Sequence, residues 1–457
     1  MFERKAYQAL LQWRKNCDKT ALLVTGARQI GKSFLVERLG RETFDSLVTI
    51  NFLENDEAKQ ALSQAHNPTD LIARLSFFAE NKLVPGKTLV FFDEIQELPD
   101  ILTMAKFLVQ DGRFAYAFSG SMLGTELKKV RSYPVGFVSE IRMYPMDFEE
   151  FCWANDVSSE ALGTVAECCR NKKPVPDYIH ESLLAYFRTY VVVGGMPAAV
   201  QVFVDSQDFS RVRETQAGLV VNYVHDVTKY AGAMAPEVRA IFEQLPLQLD
   251  AKSMRFKLNS LGEGARYDKY KLDFYWLVSA GVALKCDVVR DPKSPLMATE
   301  VASSFKLYES DTGMLVSRYP SSVAREVFLD DRKANYGHLF ENVFAQQLAA
   351  LGCDLFYYMN RKRGEVDFLV EDGLGGVIPL EIKSGWSPKA HAALSDLLSR
   401  PDYQGRTGYV LSRLNVEQAG QVVYLPWYAA SCLAAALGLE APYAADETTF
   451  KVTLPPV

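Results

Sequence analysis

The chain has 457 residues, 48% of them apolar and 23% charged, with 50 Lys and Arg against 56 Asp and Glu. That length suggests about three domains with real cores, and the formal charge of −6 excludes a protein built to coat nucleic acid, leaving room for a local basic groove at most. The seven cysteines are scattered with no C-x-x-C pair, and Cys168 and Cys169 are adjacent, so a reduced, cytoplasmic setting is the simplest account.

The N-terminal segment MFERKAYQALLQWRKN is charged throughout and predicts an amphipathic helix, not a signal peptide. A short apolar strand, Ala21–Thr25, then runs into GARQIGKS at Gly26–Ser33, and a helix is expected from about Lys32. The octapeptide fits the phosphate-binding loop G-x-x-x-x-G-K-[ST], whose backbone N–H groups wrap phosphates at a helix N-terminus. On that reading Gly26, Ala27, Arg28, Gln29, Ile30 and Gly31 form the cradle and Lys32 reaches the β/γ-phosphates of ATP. Ser33 ligates Mg²⁺.

Thr88–Glu94 reads TLVFFDE, an apolar run ending in two carboxylates. A continuously apolar strand suits a parallel sheet covered on both faces. Asp93 at its end would hold the Mg²⁺ shell, and Glu94 would polarise a water at the γ-phosphate. Phe114–Phe118 is a further strand ending in Ser119-Gly120-Ser121, where a hydroxyl either meets the γ-phosphate or makes an ordinary strand-end turn.

Residues 1–155 therefore read as an α/β phosphate-loop domain with alternating strands and helices. Residues 156–235 read as a helical lid broken at Gly194-Gly195-Met196-Pro197. That break leaves the apolar stretch Val191–Val204 too short to span a bilayer, so no membrane partner is expected. Residues 236–330 give short helices, including Lys269–Ser279, then the strand Val282–Val289, the order of a winged helix. Its bases Lys252, Arg255, Lys257, Arg266, Lys269 and Lys271 are interleaved with Asp250, Glu263, Asp268 and Asp273, which favours packing on protein over reading nucleic acid.

Residues 331–457 form a second α/β unit. Glu341 lies in the amphipathic stretch GHLFENVFAQQL, Asp367 in EVDFLV, and Glu381 and Lys383 in LEIKSG after a glycine-rich turn. Residues i and i+2 of a strand share a face, so Glu381 and Lys383 point together, and a hairpin brings Asp367 to them. This is the D-x(n)-E-x-K pattern of a metal nuclease: Glu341, Asp367 and Glu381 would hold Mg²⁺ or Mn²⁺ through oxygen, and Lys383 would activate water. Arg361 to Arg363 supply a nearby basic run.

Assembled, GARQIGKS, INF, FFDEIQ, SGS, YPMDFEEF, VGGMP, YVHDVTKY, LYESDTGML, GHLFEN, EVDFLV and LEIKSG give a chain that resembles, over nearly its full length, the bacterial and archaeal AAA-type ATPases. Those proteins carry a C-terminal domain of unknown function with a restriction-endonuclease-like core. The resemblance implies an α/β ATPase that binds and hydrolyses ATP, with a sensor role for Ser119. Members often carry Arg or Lys after the glycine preceding YPMDFEEF. Here Phe137 follows Gly136, leaving Arg131 or Arg142 as replacements for an arginine finger. Two functions follow as expectations: an ATPase that powers or gates a nuclease-like module on nucleic acid, or a signalling switch whose nuclease-like domain binds a protein partner or a second copy of the chain.

Overall fold

In the computed structural model, residues 2–121, 134–331, 336–360, 362, 364–372 and 375–439 are described. Arg131, Arg361 and Arg363 lie outside them. The fold is α/β, with two sheets joined through a helical region.

The first sheet contains β1 (Ala21–Thr25), β2 (Ser46–Asn51), β3 (Thr88–Asp93), β4 (Ala115–Gly120) and β5 (Val138–Arg142) in the order β2-β3-β4-β1-β5, every pair parallel. Both β1 and β3 are buried along their whole length. Leu22, Val24, Leu89 and Phe91 enter one core, while Ala21, Leu23, Val90 and Phe92 enter the core on the opposite face. Two-sided burial is why these strands read as unbroken apolar runs. At the crossover from β1 to the helix Lys32–Thr43, Gly26 has φ +132° and a Cβ there would lie 2.2 Å from the Met143 carbonyl oxygen. Only glycine fits so close to the backbone that follows β5.

Helices Phe148–Ala154, Ser159–Asn171, Asp177–Val193, Pro197–Ser206 and Phe209–Tyr230 make the helical region. Asp147 and Glu150 form a reciprocal capping box at the first of them. The VGG break falls after Val193, where a Cβ on Gly195 would lie 2.0 Å from the Met146 carbonyl oxygen. Among the described residues no helix is long and apolar enough to cross a membrane.

Helices Ala235–Asp250 and Tyr267–Ser279 precede an antiparallel pair, β6 (Ala283–Val289) and β7 (Glu300–Glu309). A winged helix is expected here, but the strand pair does not stand free. β6 also pairs in parallel with β8 (Leu355–Asn360). The second sheet then continues through β9 (Gly364–Glu371), β10 (Val377–Ile382), β11 (Gly408–Ser412), β12 (Glu417–Ala419) and β13 (Val422–Pro426), in the order β12-β13-β11-β10-β9-β8-β6-β7. The division drawn at 330/331 is therefore corrected: one sheet of eight strands runs through it. Pairing covers the edge that a wing would leave open, and a pairing across some seventy residues leaves no local sequence signal. β9 and β10 form the expected antiparallel hairpin, and helix Gly337–Ala350 packs on this sheet.

Candidate nucleotide site and C-terminal carboxylate pocket

The loop Gly26–Ser33 is wound by two glycines and by Gln29, itself at φ +62°. Lys32 is buried and its Nζ donates to the carbonyls of Ala27 (2.6 Å) and Gly26 (3.1 Å). Burial pushes its pKa down to about 8, against the pull of Glu94 and Asp93. Ile30 is buried in the core, and Arg4 donates to its carbonyl at 2.7 Å and to that of Tyr144 at 2.7 Å, tying the N-terminal segment across the loop.

Ser33 Oγ donates to Asp93 Oδ1 at 2.9 Å, Asn51 Nδ2 donates to Asp93 Oδ2 at 3.2 Å, and the buried Ser119 hydroxyl also donates to Oδ1. Burial raises the Asp93 pKa, with the Ser119 and Ser33 bonds working against it. Ser119 thus braces Asp93, while the Glu94 N–H reaches its oxygen at 3.4 Å. Glu94 sits past the strand end at φ +56°, and its carboxylate accepts from Gln96 Nε2 and from Ser121 Oγ at 3.5 Å. The Ser33 hydroxyl and the Asp93 carboxylate are hard oxygen donors side by side, a set that fits Mg²⁺. A cavity of about 510 Å³ beside the loop is lined by Phe2, Lys32, Ser33, Phe34, Glu94 and Pro197, among others.

Arg28 turns away from this floor. Its guanidinium pairs with Asp226 and donates to Tyr230 Oη (2.8 Å) and Ser121 Oγ (3.3 Å), while Tyr223 Oη donates to the Arg28 carbonyl (2.9 Å). Burial opposes its charge, but Asp226, Tyr230 and Glu94 hold its pKa above the ordinary value. Tyr230 continues to Glu97, which Lys59 also pairs at 2.6 Å. The sequence reading missed Asn51, Gln96, Asp226 and Tyr230. Spacing was the available signal for Tyr223, Asp226 and Tyr230, which lie on one helical face.

The C-terminal residues converge as well. The antiparallel register that pairs Leu380 with Phe368 brings Asp367 beside Glu381 at its next step, and Asp367 Oδ2 accepts the Ile382 N–H at 2.7 Å. Lys383 Nζ pairs with Glu381 Oε1 at 2.6 Å. Carboxylate oxygens of Glu341, Glu365 and Asp367 lie within 4.8 Å of one another. Burial, then Glu381 and Glu341, push the Asp367 pKa well up, and burial first raises Glu381 too. Glu381 Oε2 is buried with no hydrogen-bond partner among the described residues. An orphaned oxygen in a hard-oxygen set fits a divalent ion.

Two members of this pocket were missed, Glu365 and Lys306. Glu365 lies two residues before Asp367 on the same strand face, a signal that was available. Lys306 is fully buried, donates to Glu341 Oε2 at 2.8 Å and pairs with Glu365; Tyr308 Oη also reaches Glu341 Oε2, at 3.1 Å. It comes from β7, and no motif pointed to it.

Comparison with known families matches residues 18–152 to an AAA domain, residues 184–321 to a domain of unknown function (DUF8612) and residues 336–428 to a domain of unknown function (DUF4143). The first segment is a P-loop AAA-type ATPase domain. No curated protein matches the chain. Among solved structures, the Walker-type ATPase paby2304 of Pyrococcus abyssi is 15% identical, covering 71% of this chain and 96% of that one, with a TM-score of 0.41. The Thermotoga maritima RuvB Holliday junction branch migration motor is 14% identical over 61% of this chain and 86% of that one, with a TM-score of 0.24. At those scores neither carries an argument about what this chain acts on.

Proposed function

We propose that the chain is a Mg-dependent ATP hydrolase that powers or gates a C-terminal nuclease-like module acting on nucleic acid. The observation that carries the first half is the Ser33–Asp93 contact at 2.9 Å beside the P-loop, with Glu94 next in sequence. On this reading the loop N–H groups and Lys32 hold the phosphates. Ser33 and Asp93 would hold the Mg²⁺, which neutralises charge developing on the transferred phosphoryl group. Glu94 orients and polarises the attacking water, and Gln96 and Ser121 fix its carboxylate. Glu94→Gln should therefore keep nucleotide binding and lose turnover about 10²-fold or more. Phosphate-release and nucleotide-titration assays check this, and equal turnover by both proteins removes Glu94 from the role.

The second half is supported by the convergence of Asp367, Glu381 and Lys383 and by the orphaned Glu381 oxygen. Glu341, Asp367 and Glu381 would hold Mg²⁺ or Mn²⁺, which supplies charge stabilisation at a phosphodiester. Lys383, held by Glu381, would orient the attacking water. The test is metal-dependent cleavage of single-stranded, duplex and branched DNA and RNA, with and without ATP, by wild type, Asp367→Ala and Lys383→Ala. Cleavage lost in both variants with ATP hydrolysis intact supports the nuclease. The alternative, an ATP-dependent switch whose nuclease-like domain binds a protein partner, is favoured by the Lys306 pair with Glu341, and it gains if wild type cuts none of these substrates.

A further inference from the structure

The carboxylate pocket already contains a cation that no nuclease motif calls for. Lys306 stands on β7, paired in the sheet with Cys286, and strand alternation puts Tyr308 on its face. Both side chains reach Glu341, and the ammonium also pairs with Glu365 and lies 5.1 Å from the centre of the Tyr357 ring. The side chain is wholly shielded from water. A lysine so placed is held only because its charge is matched, since an unpaired buried ammonium is strongly disfavoured.

Charge counting then limits what else the pocket takes. Four carboxylates, Glu341, Glu365, Asp367 and Glu381, face two ammoniums, Lys306 and Lys383. With every group charged these six sum to two negative charges, and the Arg255 guanidinium acting on Glu365 reduces that further, so one divalent ion suffices and a second would overcharge the pocket. Glu381 Oε2 has no partner among the described residues, and Asp367 offers a further carboxylate oxygen within 4.8 Å of those of Glu341 and Glu365. The Lys306 ammonium holds one oxygen each of Glu341 and Glu365, so a second ion drawing on those oxygens would have to displace it.

We infer that Lys306 is a resident cation standing in for a second metal, so that the pocket binds a single divalent ion. The inference rests on the metal reading of the pocket proposed above. It makes the site a one-ion site, in contrast to paired ions about 4 Å apart.

The test is Mn²⁺ binding to the nucleotide-free full chain, followed by calorimetry and by electron paramagnetic resonance. Wild type and Lys306→Arg should bind one Mn²⁺ in this pocket with the spectrum of an isolated ion. Lys306→Met should bind two, with spin coupling between them, and Asp367→Ala should lose the wild-type ion. Two coupled ions on wild type, or one ion on Lys306→Met, would overturn the inference while leaving the metal reading intact. No Mn²⁺ on any of these proteins removes both. Should Lys306→Met fail to fold, Glu365→Gln answers in the presence of EDTA. If Lys306 is the counter-ion of Glu365, losing that partner lowers the melting temperature. A rise instead means that carboxylate repulsion dominates and that Lys306 does not neutralise the pocket.

Discussion

Lys32 owes its depressed pKa to burial, and its only bonds among the described residues are to two carbonyls of its own loop. A phosphate brought to that ammonium adds the negative charge that burial withholds, so nucleotide binding should raise the pKa from about 8 toward the ordinary lysine value. Binding just above that pH must then take up a proton. Titration calorimetry at about pH 8.5 in buffers of different ionisation enthalpy should register uptake approaching one proton per nucleotide, fading near pH 7. A buffer-independent enthalpy at the higher pH would exclude Lys32 as the phosphate ligand. The residue also marks how far the sequence could be read. The octapeptide names Lys32 and Ser33 because phosphate chemistry demands those types at that spacing. It says nothing of Arg28, a variable position whose partners Asp226 and Tyr230 lie about two hundred residues away. Lys306 was hidden for the same reason, since its role exists only once the fold brings Glu341 of helix Gly337–Ala350 and Glu365 of β9 to the side chain on β7.

At the level of elements, helix Phe209–Tyr230 presents Tyr223, Asp226 and Tyr230 to the P-loop. Its turns thereby hold the loop backbone at one point and the Arg28 guanidinium at another. Asp226 is a carboxylate beside a site for polyanions, and burial already raises its pKa. Neutralising it should release Arg28 toward the phosphates and remove a repulsion. Asp226→Asn is therefore expected to tighten ATP binding by about threefold to tenfold while loosening the helix end. Nucleotide titration checks the first effect, and faster amide exchange over residues 223–230 checks the second. Weaker ATP binding would make Asp226 a support of the loop instead of a brake on it. Elements of this kind were legible in outline. Helices and strands with one dominant periodicity can be read locally, whereas the pairing of β6 with β8 depends on what else reaches that edge.

Across the whole molecule, four regions meet at buried polar bonds. The Asp311 carboxylate accepts the Gly195 N–H at 2.6 Å and the Met314 N–H at 2.9 Å. Tyr190 Oη donates to the Met146 carbonyl and accepts from Gln346 and Gln347, while Gln347 also takes the Phe148 N–H and Gln346 the Thr312 N–H. Helix Gly337–Ala350 thus carries Glu341 into the carboxylate pocket at one end and Gln346 and Gln347 into this junction at the other. The ATPase segment ends in the same junction. Asp311 is wholly buried, and desolvation raises its pKa to about 6 against the pull of its backbone donors. The sign of the linkage follows. In the unfolded chain an aspartate ionises near pH 4, so between about pH 4 and pH 6 the folded state holds a proton that the unfolded state has lost. Asp311 therefore favours the fold at low pH and costs stability as pH rises through that window, by up to about 3 kcal/mol. Asp311→Asn does not titrate. It should be destabilised at every pH by the acceptor it removes from the Gly195 or Met314 N–H. Its deficit against wild type should nevertheless be largest near pH 4 and shrink toward pH 7. Urea melts of the two proteins at about pH 4, 5.5 and 7 measure that gap. A gap that does not change with pH would mean that Asp311 is ionised throughout, with the backbone donors outweighing its burial.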